Sequence, residues 1–214
     1  MKFDAFLQSL TKLQNIELPF LESHQKMAPF ERINQLQNLD FSTLNYRESA
    51  VLILFYAINN ETYFVLTERN EYPGVHSKQI SLPGGKKESF DIDLKHTAVR
   101  EAGEEIGVTI PVQQIAFSLS PVYVPPSNFM IYPYIGLIHN SFTFVPDPRE
   151  VKNVIEVQVS KLFESDVVHY KKMATSYSDW TEVPYYKIDD YVVWGATAMI
   201  LSELIDVLKF LFKQ

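Results

Sequence analysis

The stretch from Gly84 to Val108 constrains this chain more than any other. It reads Gly84-Gly85-Lys86-Lys87-Glu88-Ser89-Phe90-Asp91 and, after eight further residues, Arg100-Glu101-Ala102-Gly103-Glu104-Glu105-Ile106-Gly107-Val108. Two adjacent glycines permit positive φ and close backbone approach. Residues 93–106 read as a helix, with Asp91 or Asp93 able to cap its start and Gly107 its end. Each helical residue advances about 100°, so with Glu101 at zero Glu105 lies about 40° to one side and Glu104 about 60° to the other. Three carboxylates therefore share one narrow strip. Val99, Ala102 and Ile106 lie roughly 100–160° away and can face a core. Like charges three and four residues apart oppose a helix by a few tenths of a kcal/mol per pair, and an internal Gly103 costs roughly 1 kcal/mol more. Arg100 offsets only part of this. A solvated helix face is the ordinary explanation of such a strip. The Gly-Gly turn, able to bring a carbonyl or amide next to an ion or a phosphate, shifts the balance toward a bound divalent cation, and at this point both readings stay open.

Composition narrows that choice. The 214 residues contain no cysteine, which removes disulfides, zinc–thiolate and iron–sulfur sites and a thiol nucleophile. An oxygen-only ligand set points to Mg²⁺ or Mn²⁺. A formal net charge of −7 does not favour a nucleic-acid partner. The length and the 46% apolar share fit one globular domain over residues 1–214. The N-terminus lacks a signal-peptide core, no apolar run approaches the roughly 20 residues of a membrane span, and no peroxisomal or ER address is visible. The expectation is a cytoplasmic protein without membrane contact.

Along the chain, residues 1–20 read as an amphipathic helix and 21–48 as a polar, irregular lead-in. Ala50–Ala57 and Thr62–Thr67 read as a hairpin of buried strands around Asn59-Asn60-Glu61. Ile80–Leu82 reads as a short strand stopped by Pro83-Gly84-Gly85. Ile115–Val124, Met130–Ile138 and Val154–Val159 read as strands, and Tyr191–Phe212 as a closing segment with a helical apolar face. This order predicts a mixed α/β (α+β) domain with helices on a mixed central sheet.

Gly85 through Val108 resembles the Nudix box, the signature of hydrolases that cleave a nucleoside diphosphate linked to another moiety. Arg100 through Val108 matches the second half of that motif. In the first half Asp91 replaces a Glu, and eight residues rather than seven separate it from Arg100. Both departures resemble the coenzyme A pyrophosphatase branch of the family. Upstream, Leu66-Thr67-Glu68-Arg69 and His76-Ser77-Lys78-Gln79-Ile80-Ser81-Leu82-Pro83-Gly84-Gly85 are similar to the CoA signature of that branch, with Lys78 in place of its Gly and Leu82 in place of its Phe. Pro125-Pro126-Ser127-Asn128-Phe129 and Trp194-Gly195-Ala196-Thr197-Ala198 also look like that branch. The resemblance covers roughly residues 45–210.

The resemblance implies a Nudix fold, with the box at 84–108 and a helical extension over 1–48. It implies hydrolysis of CoA or its derivatives to 3′,5′-ADP and (acyl-)4′-phosphopantetheine. It assigns Glu101 and Glu105 as principal metal ligands, completed by Glu104 and the Gly85 carbonyl. Arg100 orients the acids, through Glu104. The general base is either Glu104 or Glu150, and Asp91 is a helix cap or an outer-sphere water ligand. Arg69, His76, Lys78 and Lys86, with Ser127, are the candidate substrate-binding residues; Lys87 reads as solvated loop charge. Tyr123, Phe129 and Tyr132 are candidates for stacking on adenine, or core aromatics. Lys78 motivates a second reading, a Nudix enzyme for a nucleotide sugar, a dinucleoside polyphosphate or an oxidised nucleotide. A non-catalytic Nudix domain would be signalled by loss of a box glutamate, and all three are present. The partner expected is a CoA-like small molecule, and the N-terminal helix could pack on its own sheet or in a homodimer.

Overall fold

The fold is organised around one long strand, β1 (Arg47–Ile58), flanked on both edges and covered on both faces. Its nearly unbroken apolar run follows from that double coverage. In the computed structural model, which describes residues 1–38, 40, 43–70, 79–175 and 180–212, Asn59 and Asn60 both take left-handed backbone (φ 51° and 61°). That pair turns β1 tightly into antiparallel β2 (Glu61–Arg69), a geometry Asn tolerates better than most residues.

Farther along the same edge of β1, β4 (Gly84–Lys86) pairs with Ser49–Val51. The opposite edge carries β7 (Phe129–Leu137) in parallel. Strands β3 (Ile80–Ser81) and β8 (Val151–Gln158) add to β2, while β5 (Ile115–Ser118) and β6 (Val122–Val124) add to β7. Among the described residues this makes an eight-stranded mixed sheet. A separate three-stranded antiparallel sheet comprises β9 (Val168–Met173), β10 (Thr181–Ile188) and β11 (Tyr191–Trp194).

Helix α4 (Leu94–Ile106) covers one face of the large sheet, with Ala98, Ala102 and Ile106 against Ala50, Leu52 and Leu54. The other face is covered by α5 (Gly195–Phe212) and by an N-terminal trio, α1 (Phe3–Leu10), α2 (Phe20–Gln25) and α3 (Phe30–Gln37). There Phe6, Ile53, Phe55, Phe64, Leu201 and Leu204 are buried together, each large side chain contributing about 1.5–3 kcal/mol. No helix among the described residues is long and apolar enough to cross a membrane.

The mixed sheet between helices, the Asn59–Asn60 hairpin and the 93–106 helix match the reading of the sequence. Gly84-Gly85, which reads as a turn, lies in strand β4, and β9 and β10 have no counterpart in the reading of the sequence; four further details differ. The N-terminal helix stops at Leu10 and continues as a 3-10 turn over Thr11–Asn15. The stretch over 21–48 is not wholly irregular, since it holds most of α2 and all of α3. Ile115–Val124 is two strands, because the chain breaks from the ladder before Pro121, which has no N–H to donate. The closing segment begins as β11 before α5, the change falling at Gly195 with φ of 64°.

A buried carboxylate ties the N-terminal trio to α5. Glu203 is fully buried and accepts hydrogen bonds from the backbone N–H of Ser120 (2.8 Å) and of Phe20 (3.1 Å). The His24 Nε2 lies 3.5 Å from Glu203 Oε2, the oxygen that also accepts from Ser120. Nearby, the Ser202 hydroxyl donates to the Ser23 carbonyl (2.7 Å), and Lys26 pairs with Asp206 (2.6 Å). Burial pushes the Glu203 pKa upward, but His24 and Ser120 outweigh it and hold the carboxyl below its usual range. A depressed carboxylate pKa adds stability above the unfolded-state value, and that stability is lost as pH falls through the folded one. Glu203→Ala, which strands the buried Ser120 N–H and the part-buried Phe20 N–H, should therefore destabilise the fold by about 3 kcal/mol near neutral pH. Denaturant melts should show the gap between wild type and variant narrowing below pH about 4.3, the ordinary glutamate value. A gap that does not change with pH would show that Glu203 is not ionised in the fold.

Candidate active site

The site is built where β4 presses against β1 on one side and α4 on the other. Gly84 has φ of 153°, and a Cβ there would collide with the Ala50 carbonyl and come within 2.6 Å of the Val51 Cα. At Gly85 a Cβ would fall 2.5 Å from the Glu101 carboxyl carbon. The two glycines thus let the strand lie directly against a carboxylate, which no larger residue allows.

Helix α4 starts at Asp93, whose side chain accepts from the His96 N–H (2.9 Å), and ends at Gly107 in left-handed backbone (φ 71°). Asp91 is not the cap. It instead accepts from Arg100 Nε and Nη2 (both 2.9 Å), the Thr97 hydroxyl (3.0 Å) and the Glu88 N–H (2.9 Å). Those bonds, Arg100 foremost, hold its pKa far below the usual carboxylate range. Gly103 is explained by Thr109, whose Oγ1 would lie 2.8 Å from an added Cβ.

The three glutamates have different surroundings. Glu105 is buried (2% exposed), accepts from the Gly84 N–H (3.1 Å) and faces Arg69 Nη2 at 3.4 Å. Burial pushes its pKa up to about 7, with Arg69 and the Gly84 amide opposing. Glu101 is half-buried against Gly85, and burial raises its pKa against the pull of Arg100. Glu104 is exposed, on the solvent side of α4, paired with Arg100 Nη1 at 2.8 Å. Arg100 is the hub: besides Asp91 and Glu104 it pairs with Glu101 (2.8 Å) and donates to the Lys86 carbonyl (3.0 Å). It contacts three carboxylates, where the reading of the sequence names a link through Glu104 alone.

Glu150 is exposed, in the turn that leads into β8, and its charge acts on both Glu101 and Glu105. The turn is secured to the end of α4: the N–H groups of Val145 and Asp147 donate to the carbonyls of Ile106 (2.9 Å) and Glu105 (3.0 Å). Asn70 secures the other side, its N–H donating to the Glu150 carbonyl (3.2 Å) and its Nδ2 to the Pro148 carbonyl (2.7 Å). Neither clasp has a motif in the sequence, because each is made by backbone carbonyls that any residue supplies.

A cavity of about 700 Å³ opens beside Gly84 and Gly85. Arg69, Lys86 and Ser127 line it, together with Phe129. Arg69 Nη2 reaches the Gly84 carbonyl at 3.5 Å, Lys86 pairs loosely with Glu88 (3.4 Å), and Lys87 pairs with Glu48 (3.0 Å). His76 and Lys78 lie outside the described residues. Tyr123 is buried, with its hydroxyl on Asn128 (2.8 Å), so it serves packing rather than stacking on a ligand. Tyr132 is hydrogen-bonded to Tyr46 (3.3 Å). Arg32, from α3, also lines the cavity and donates to the Tyr123 carbonyl; nothing in the polar stretch over 21–48 signalled it.

Among the described residues no group of three or more His, Asp or Glu is drawn together as a metal cage. Glu101 and Glu105 nonetheless both crowd the Gly84–Gly85 strand, and their hard oxygen atoms suit Mg²⁺ or Mn²⁺. Burial disfavours both negative charges, and a cation between strand and helix would relieve that cost.

The family model for the NUDIX domain matches residues 46–180. The chain is 32% identical over 166 residues to Nudix hydrolase 15, mitochondrial, of Arabidopsis thaliana, covering 72% of this chain and 56% of that one. The chain thus spans little more than half the length of the Arabidopsis relatives it matches. It is 31% identical over 189 residues to the uncharacterized Nudix hydrolase NudL of Salmonella paratyphi B, covering 86% of this chain and 91% of that one. Among solved structures, a MutT/nudix family protein from Enterococcus faecalis shares the fold with a TM-score of 0.56 at 12% identity, covering 94% of this chain and 82% of that one.

The two glycines should respond differently to alanine. At Gly84 the obstacle is backbone, so Gly84→Ala should cost more than about 2 kcal/mol in thermal or denaturant melts. At Gly85 the obstacle is the movable end of Glu101, so Gly85→Ala should melt within about 1 kcal/mol of wild type. Equal losses would mean that the Glu101 carboxylate does not rest on Gly85.

Proposed function

The chain belongs to the Nudix family, and from that premise we propose that it is a divalent-metal-dependent pyrophosphohydrolase acting on coenzyme A or its derivatives. The products would be 3′,5′-ADP and (acyl-)4′-phosphopantetheine. The observation that carries the hydrolase reading is the pair Glu101 and Glu105 crowding the Gly84–Gly85 strand, whose glycines also line a 700 Å³ cavity. The CoA reading is supported by the residues around Arg69 and Gln79–Gly85 that resemble the CoA signature, and by the cavity's mixture of cationic and apolar lining.

Glu101 and Glu105, with the Gly85 carbonyl, are the residues that would hold Mg²⁺ or Mn²⁺. Such an ion, when bound, neutralises charge on the phosphoryl oxygens and polarises phosphorus toward attack. The protein's own part is positioning and proton transfer. Arg100 fixes Glu101 and Glu104 against Asp91, so the acids keep their spacing when a polyanion enters. Arg69 and Lys86 face the cavity and can pair with phosphate oxygens. Water attacks one phosphorus of the diphosphate, a P–O bond to water forms, the bridging P–O bond breaks, and a carboxylate accepts the water's proton. Glu104 and Glu150 are the candidates for that acceptor: both are exposed, and Glu150 lies close enough to Glu101 and Glu105 to raise both their pKa values.

The purified protein with Mg²⁺ or Mn²⁺ should release 3′,5′-ADP from CoA, resolved by chromatography. Turnover of a nucleotide sugar, a dinucleoside polyphosphate or an oxidised nucleotide without any of CoA would replace the substrate. Glu105→Gln should lower kcat by at least about 10²-fold while leaving the melting temperature intact, as expected when a charge-stabilising group is lost. Unaltered kcat would remove Glu105 from the metal site. Glu104→Gln and Glu150→Gln should separate the base: one should lose about 10²–10⁴-fold in kcat and the other far less. Small losses in both would place the proton elsewhere.

A further inference from the structure

The cavity has a direction. Four of its lining residues stand in one cross-strand row: Lys86 on β4 is opposite Ser49 on β1, Ser49 opposite Ile131 on β7, and Ile131 opposite Val122 on β6. Three inter-strand steps make this row roughly 15 Å long, the reach of about four to five residues of extended chain. The row changes character along its length. It begins with an ammonium group next to Gly84 and Gly85, passes the buried Ser49 hydroxyl, and ends on two aliphatic side chains. Above it lie Trp194, Ala196 and Met199, from the junction of β11 and α5, and Pro29 from the loop before α3. Gly195 has nothing within 4 Å of its Cβ position, which keeps the junction open. Both roof segments lie outside residues 46–180, the part matched by the family model.

A row of this length that passes from a cation to aliphatic side chains suits an extended chain more than a sugar or a nucleoside, whose hydroxyls would lose water without gaining partners on Ile131 and Val122, the nearby Arg32 guanidinium being engaged with the Tyr123 carbonyl. We propose that this channel holds the pantetheine side of the substrate, with any acyl group at its apolar end, so that the nucleotide lies outside it and Ala196 and its neighbours in the roof set specificity. This rests on the CoA reading above and adds which half of the substrate occupies the cavity.

The chain has two tryptophans, Trp180 and Trp194, and only Trp194 lines the channel. In a Trp180→Phe background, emission therefore reports on the roof. Titration with S-octanoyl-pantetheine, which carries neither diphosphate nor nucleotide, should shift Trp194 emission saturably. Excess 3′,5′-ADP should not displace it. Ala196→Phe should weaken the probe at least tenfold and lower the preference in kcat/KM for octanoyl-CoA over CoA by a similar factor. Ala196→Leu, a smaller filler, should give an intermediate loss and stands in if the Phe variant does not fold. No saturable shift, displacement by 3′,5′-ADP, or an affinity unmoved by both fillers would overturn the assignment. Probe binding without CoA hydrolysis would overturn the CoA reading alone, and CoA hydrolysis without probe binding would overturn the channel alone.

Discussion

Close approach at Gly84 and Gly85 is the constraint on which the rest of the structure depends. Without a Cβ at either position, β4 can pair with Ser49–Val51 while the carboxylates of α4 lie against its other side. The Gly84 N–H then donates to Glu105 inside the protein, which fixes how α4 sits on the sheet. The same strand lines the cavity, so one short segment couples the acids on one face of the sheet to the channel on the other. Burying two carboxylates costs several kcal/mol unless charge is supplied, and both Glu101 and Glu105 register that cost as raised pKa values. A site of this kind stores an unmet demand for positive charge, which Arg69 and Arg100 meet only in part.

Much of this was legible in the sequence, and what was hidden had identifiable causes. The hairpin was readable because Asn59-Asn60 is strong turn chemistry between two β-rich runs. Helix α4 was readable from its caps and its apolar face. The helical wheel grouped Glu101, Glu104 and Glu105 on one strip, yet Glu105 is buried and Glu104 exposed. Angles about a helix axis do not say where the sheet's edge falls, and that edge divides the strip. Asp91 and the cap at Asp93 are separated by a single residue, and the sequence left the choice between them open; the His96 N–H on Asp93 and the Arg100 contacts of Asp91 decide it.

Other features left no local mark. Strands β9 and β10 alternate weakly and carry charges and Pro184, so their periodicity is faint. Helix α2 has only six residues and depends on Glu203, 183 residues away from Phe20, for its anchorage. The channel joins residues near 29, 50, 85, 130 and 196; the pairing of β1 with β4 and β7 brings 50, 85 and 130 together, and the segments before α3 and at the start of α5 supply the rest. Such sites are written in topology, which no window of sequence contains.

The central claim is that Glu101 and Glu105 at the Gly84–Gly85 strand hold a divalent cation. Crystals grown with Mn²⁺ and measured near the manganese edge test it most directly. The account predicts an anomalous peak within direct coordination distance of both carboxylates and the Gly85 carbonyl. A peak that contacts neither Glu101 nor Glu105 would contradict it.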